Sequence, residues 1–91
     1  MAERTVVYPE YVSKLTEALS KALPGASVDA EQVRGDRYRF AVLWSNFDGM
    51  GHPERQDQVW DVAAKTLEAD ALRKVTMILT LGQGDLPKDE Q

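Results

Sequence analysis

The sequence predicts an α+β fold in which two main helices pack on a three-stranded mixed sheet, forming a two-layer sandwich. Two long segments carry apolar residues at helical spacing, and three shorter segments alternate apolar with polar residues. Turns that contain glycine or proline separate these segments. The predicted order is helix, strand, strand, turn region, helix and strand. Because the second helix carries the chain across the sheet, the last strand should run parallel to a strand of the hairpin.

The composition of the 91-residue chain predicts one domain at residues 9–82, preceded by a flexible N-terminus (1–8) and followed by a tail (83–91). The absence of cysteine excludes disulfides and thiol catalysis. No apolar stretch approaches the roughly 20 residues of a membrane span, and no signal peptide is recognisable. We therefore expect a cytoplasmic protein without a membrane partner. The formal net charge of −4 argues against nucleic-acid binding, which usually relies on a basic surface.

The first half of the chain predicts a helix and a hairpin. The helix spans Pro9–Leu23 and ends at Pro24-Gly25. Its apolar stripe consists of Val12, Leu15, Leu19, Ala22 and Leu23. The hairpin pairs a strand at Ala26–Gln32 with one at Arg37–Ser45. In the second strand the core-facing residues should be Tyr38, Phe40, Val42 and Trp44, and the opposite face should carry Arg37, Arg39, Ala41 and Leu43.

The second half predicts a turn region, a helix and a strand. The segment Phe47–Trp60 holds the densest turn chemistry of the chain and the start of a helix over Pro53–Ala69. The buried stripe of this helix should be Val59, Trp60, Ala63, Ala64 and Leu67, and both tryptophans are expected in the core. In the strand Lys74–Leu81, one face should carry Val75, Met77, Leu79 and Leu81, and the other Thr76, Ile78 and Thr80. Two apolar or β-branched faces predict an internal strand.

The turn region resembles the BolA-like family. The resemblance lies in Phe47-Asp48-Gly49-Met50, then Arg55-Gln56 and Val59-Trp60, with further similarity at Leu23-Pro24-Gly25-Ala26 and in the closing strand Val75–Thr80. It covers roughly residues 9–87 and implies a class II KH-like sandwich. It also implies an interaction domain that binds a monothiol glutaredoxin, in some members sharing an iron–sulfur cluster with it. Some members are described as stress-responsive transcriptional regulators.

The sequence departs from the family at the histidine that ligates the shared cluster. That position falls on Arg73, in the segment Leu72–Val75, and the hairpin turn Gln32–Asp36 offers neither histidine nor cysteine. An arginine stays protonated and cannot ligate iron. The resemblance therefore implies partner binding more than cluster ligation. The predicted partner surface combines the turn residues Gly49, Met50, Gly51, His52 and Arg55 with Arg73 and Lys74 at the start of the last strand.

Two features of the turn region leave alternatives open. His52 is the only histidine, so it is the one candidate metal or cluster ligand of imidazole type; the favoured alternative is an exposed residue beside a helix start. Gly49-Met50-Gly51 stands where a KH domain carries its phosphate-contacting Gly-x-x-Gly loop. The favoured alternative there is a tight turn that needs positive φ angles.

The basic residues support a second hypothesis, a nucleic-acid-binding regulator that uses the KH-like fold. Its surface would consist of Arg34, Arg37, Arg39 and Arg73, which are equally interpretable as solvated charge at a sheet edge. A third hypothesis is a homodimer that covers an apolar face formed by Ala41, Leu43 and Ile78. The sequence contains no recognisable catalytic set, so an enzyme is not predicted.

Overall fold

The computed structural model describes residues 8–85 and has the predicted α+β architecture. The predicted lead-in at residues 1–7 and the tail from residue 86 onward lie outside the described residues. The elements are α1 (Glu10–Ala22), β1 (Ser27–Arg34), β2 (Arg37–Leu43), a first 3₁₀ turn (Ser45–Gly49), α2 (His52–Thr66), α3 (Ala69–Leu72), β3 (Val75–Leu81) and a second 3₁₀ turn (Gln83–Asp85). None of the helices within residues 8–85 combines the length and the apolar character needed to cross a membrane.

The sheet is mixed, in the order β1-β2-β3. The hairpin strands β1 and β2 are antiparallel, and β3 lies parallel to β2, which confirms the predicted crossover. The prediction of an internal last strand is wrong, because β3 lies at the edge. Two of its carbonyl oxygens accept hydrogen bonds from side chains of α2: Gln56 Nε2 donates to Ile78 at 2.8 Å, and Arg55 Nη1 donates to Thr80 at 3.4 Å. Such side-chain cover blocks pairing with another strand.

One face of the sheet and the inner sides of α1 and α2 enclose the core. The predicted core residues of β2 are buried, as are Val12, Leu15 and Leu19 of α1. The helix stripes are narrower than predicted: Ala22 and Ala64 are exposed and Trp60 is half-buried. The reason is that α1 and α2 contact the sheet through a limited arc, which leaves the residues at its margins in solvent.

A register shift in β3 rearranges its two faces. Tyr38 lies opposite Val75, but the next residue, Arg39, lies opposite Met77, so Thr76 is an extra residue in β3. This bulge turns Val75 onto the core face with Ile78 and Thr80. The predicted grouping of Val75 with Met77 is therefore wrong. The predicted open apolar face that included Ile78 is wrong as well, because Ile78 is 1% exposed and packs under the helices.

The second helix ends earlier than predicted. It stops at Thr66, where Leu67 adopts an extended conformation (φ −111°, ψ 147°) and donates its N–H to the carbonyl oxygen of Ala63. The separate short helix α3 then leads to β3. Leu67 stays buried in this arrangement, so its burial, which the sequence predicted, does not depend on helical geometry.

Candidate functional site

The predicted partner surface falls into two parts at opposite ends of the sheet. The turn residues 49–55 follow the end of β2, where Trp44 N–H bonds the carbonyl oxygen of Leu81. Arg73 and Lys74 precede β3, whose first residue Val75 lies opposite Tyr38 near the start of β2. The two parts are thus separated by the length of a seven-residue strand, roughly 20 Å. The prediction of one combined surface does not agree with this arrangement. We call the two regions the loop end and the hairpin end.

Arg55 at the loop end is a packed structural residue. Its side chain is 13% exposed. Its Nε donates to the carbonyl oxygen of Met50 at 3.1 Å, and its Nη1 lies 2.7 Å from Asp85 Oδ2. The guanidinium also lies over the buried ring of Phe47, with Cζ 5.8 Å from the ring centre. These internal contacts occupy most of the Arg55 guanidinium, so Arg55 is a poor candidate for contacting a partner protein.

The two carboxylates at the loop end fix the second 3₁₀ turn. Asp85 Oδ2 accepts the N–H of Gly82 at 2.9 Å, and Asp48 Oδ1 accepts the N–H of Gly84 at 2.9 Å. The Gly82 N–H and the Arg55 guanidinium both lower the pKa of Asp85. The chain therefore returns after β3 to close against the connection between β2 and α2.

The glycines of the loop end have ordinary backbone geometry. Gly51 precedes α2 with φ −71° and ψ 161°, and Gly49 also has no positive φ. The predicted positive-φ turn is therefore wrong; within the described chain such angles occur at Gly25 and Gly35. A Cβ at Gly49 would meet open space, and one at Gly51 would lie 3.8 Å from Pro53 Cδ. The fold does not require glycine at either position.

His52 is exposed and is the first residue of α2, with Glu54 following in the first turn. Among residues 8–85, no three histidine or acidic side chains are grouped so that they would hold a metal ion. The carboxylates of Asp48, Glu54 and Asp85 at this end also disfavour a phosphate, although a helix N-terminus alone favours anions.

The hairpin end brings together two segments distant in sequence. Lys74 Nζ lies 2.9 Å from Asp36 Oδ2 in the hairpin turn. The buried Tyr11 donates its hydroxyl hydrogen towards the carbonyl oxygens of Asp36 and Lys74. The ammonium of Lys74 lowers the pKa of Asp36, and burial together with the Asp36 charge raises that of Tyr11. The tyrosine thus anchors the turn against the start of β3.

Exposed cations surround this junction. Arg73 pairs with Asp70 at 2.9 Å but keeps 68% of its side chain exposed. Arg34 and Arg37 face each other across the hairpin, both are exposed, and neither forms an ion pair within residues 8–85. Arg39 differs, because Glu31 accepts two hydrogen bonds from it at 2.9 and 2.7 Å. Three of the four predicted arginines are therefore close to the hairpin end and available for contacts.

A shallow depression of about 370 Å³ adjoins the hairpin end between the start of α1 and α3. Its charged lining is mixed, consisting of Glu10, Lys14, Glu68, Asp70 and Lys74. Sequence reasoning missed this depression because its walls come from two stretches far apart in the chain, residues 9–14 and 67–74.

Comparison with known proteins gives no relative: neither the models of protein families nor the curated proteins match this chain.

Proposed function

We propose that this chain is a BolA-like interaction domain that binds a monothiol glutaredoxin through its hairpin end. The observation that supports this most directly is the junction of Asp36, Lys74 and Tyr11. The hairpin turn lies beside the start of β3, and by resemblance these are the two segments that carry the family's cluster-ligand positions. The proposal includes a cytoplasmic location and a regulatory role in iron–sulfur or stress-related processes.

The contact we propose is electrostatic. Arg34, Arg37 and Arg73 present guanidinium groups at one end of a chain whose formal net charge is −4. Guanidinium groups form paired hydrogen bonds with carboxylates, so the matching surface of the partner should be acidic. In the free protein Arg73 forms an ion pair with Asp70. On binding, a carboxylate of the partner would replace Asp70 in this pair.

The residues present do not fit the family's iron–sulfur cluster. Arg73 stands at the histidine position and its guanidinium cannot ligate iron. His52 does not replace it, because it lies at the loop end, a strand's length from the hairpin turn. The proposal therefore concerns the protein contact and assigns no ligand to a cluster.

The experiment is a calorimetric titration with a monothiol glutaredoxin from the same cell, both without cluster and cluster-loaded. Arg73→Glu should weaken binding at least tenfold, because it places a negative charge against the acidic surface of the partner. Lys21→Glu is the matched control, since Lys21 lies in the last turn of α1, away from the hairpin turn. Absence of binding to either form of glutaredoxin contradicts the proposal.

Nucleic-acid binding is the second candidate, and the facing pair Arg34 and Arg37 favours it. Phosphate contacts of this kind release counterions, so binding would fall steeply with salt. Because the chain is acidic overall, however, we expect it not to bind duplex DNA or single-stranded RNA at moderate ionic strength. Salt-sensitive binding that Arg37→Glu weakens would support this candidate instead.

A further inference from the structure

The sheet face opposite the helices carries an apolar strip beside an acidic row. The strip consists of Ala41, Leu43, Met77, Leu79 and Leu81, and the acidic row on β1 consists of Asp29 and Glu31. Met77 and Leu79 are 46% and 43% exposed, although both are large apolar residues. Exposed apolar surface that is continuous and bordered by polar groups is typical of an interaction site.

The pairing register places the acidic row alongside the strip. Asp29 lies opposite Ala41, which lies opposite Leu79 in the same row across the three strands. Because Ala41 is small, a depression of about 330 Å³ forms above it, walled by Asp29 and Glu31 on one side and by Met77 and Leu79 on the other. Arg39, which lies between Glu31 and Met77, closes one end of the depression. The face thus carries carboxylates along β1, two arginines (Arg37 and Arg39) at one end of β2, and apolar side chains along β3 and the rest of β2.

The charges on this face are not equivalent. Glu31 is paired with Arg39 at 2.7 Å, while Asp29 has no ion pair among the described residues. Arg37 lies at the far end of the face, next to the hairpin turn. A ligand that covers the strip therefore meets an unneutralised negative charge at Asp29, which favours a basic group in the ligand at that position.

The size of the face distinguishes between two possible binding partners, a second copy of this chain and a single helix. Three strands spaced about 4.8 Å apart, each roughly 20 Å long, give a projected footprint of roughly 300 Å². A stable dimer buries about 800 Å² of accessible surface on each partner, and a flat face of this footprint supplies only part of that, so a second copy would have to extend beyond the face. The net charge of −4 on each copy adds repulsion. One helix of about 14 residues, about 21 Å long and 10 Å wide, matches the face well.

We propose that this face binds an amphipathic helical segment of a partner protein, with its apolar side on the strip and basic residues along the flank that faces Asp29. Leu79 and Met77 supply the apolar contact, and the depression over Ala41 accepts an apolar side chain of the helix. This surface meets the hairpin end at Arg37, but its apolar strip lies outside that end, so the proposal does not depend on glutaredoxin binding.

The test uses two synthetic 14-residue helical peptides in NMR titrations of the isotope-labelled full chain. Both peptides carry leucines at helical spacing; one has lysines along one flank and the other has glutamates at the same positions. We expect amide shifts concentrated at Ala41, Met77 and Leu79, and binding of the lysine peptide about fivefold tighter, the size expected from one or two exposed ion pairs. Asp29→Lys should reverse the preference between the two peptides.

Two variants control for nonspecific peptide binding and for loss of the fold. Leu79→Lys should abolish binding of both peptides, while Val33→Lys, at a residue 51% exposed near the hairpin turn, should leave it unchanged. The amide spectrum of each variant itself reports whether the fold is intact. Equal affinities for the two peptides, shifts outside the strip, or concentration-dependent dimerisation that Leu79→Lys removes would each overturn the proposal, the last in favour of a second copy.

Discussion

Arg55 and Asp85, thirty positions apart, form an ion pair of 2.7 Å that ties the start of α2 to the turn after β3. Because the Arg55 side chain is largely buried and also bonds the carbonyl oxygen of Met50, its loss leaves buried polar groups without partners. The pair makes the loop end a structural junction.

Arg55→Ala should therefore lower the free energy of unfolding by about 2 kcal/mol, measured by urea denaturation. Lys65→Ala on the same helix is the control. Lys65 also forms an ion pair, with Asp61 at 3.0 Å, but its side chain is 76% exposed. Its replacement should change the stability by less than about 0.5 kcal/mol. Equal effects of the two substitutions would contradict the structural role of Arg55.

Asp85 should make the protein acid-sensitive. Its pKa lies below the ordinary 3.8 in the folded state, owing to the Gly82 N–H and Arg55. A carboxyl group whose pKa is depressed by folding stabilises above its unfolded pKa, and this stabilisation is lost as the pH falls through the folded pKa. Asp85→Asn should thus show a smaller loss of stability than the wild type between about pH 5 and pH 2, in denaturant melts at each pH. Parallel curves would argue against the contact.

Gly82 and Gly49 should respond differently to alanine. A Cβ at Gly82 would collide with the carboxylate of Asp48 and lie 3.0 Å from its backbone nitrogen, whereas one at Gly49 meets open space. Gly82→Ala should lower the stability by about 2 kcal/mol or more. Gly49→Ala should be neutral or stabilise by up to about 1 kcal/mol, because alanine has less freedom in the unfolded chain. Thermal melts of both variants test this contrast.

Tyr11→Phe should loosen the hairpin end. The substitution removes the hydroxyl that bonds the carbonyl oxygens of Asp36 and Lys74 and should lower the stability by about 1 kcal/mol. Amide exchange in the hairpin turn and at the start of β3 should accelerate. Tyr8→Phe is the control, since Tyr8 is 40% exposed and packs edge-on against Tyr38 through its ring. Unchanged exchange in Tyr11→Phe would show that the hydroxyl does not hold the turn.

The sequence predicted the helices, the hairpin and the parallel crossover because each depends on local periodicity. The alternation in β2 correctly placed Tyr38, Phe40 and Val42 in the core. The edge position of β3 was not predictable from alternation, since an edge strand covered on one side by α2 has the same two-sided apolar pattern as an internal one. The bulge at Thr76 likewise depends on pairing with β2 and has no local signal.

The candidate site was predicted less well than the fold. The separation of the loop end from the hairpin end follows from the parallel pairing of β3 with β2. The sequence predicted a parallel partner in the hairpin but did not choose between its two strands, and pairing with β1 would have brought the two ends together. The burial of Arg55 does not follow in this way, because it depends on Asp85, thirty residues later. The junction of Tyr11, Asp36 and Lys74 also joins residues far apart in sequence, without any motif to indicate it.

The most direct test of the central claim is an amide-shift map of the isotope-labelled protein on addition of a monothiol glutaredoxin. We predict that the largest shifts fall at the hairpin turn (residues 34–37) and at residues 72–75, with the loop end at residues 47–56 nearly unchanged. Shifts concentrated at the loop end, with the hairpin end unaffected, would contradict the assignment of the hairpin end as the partner surface.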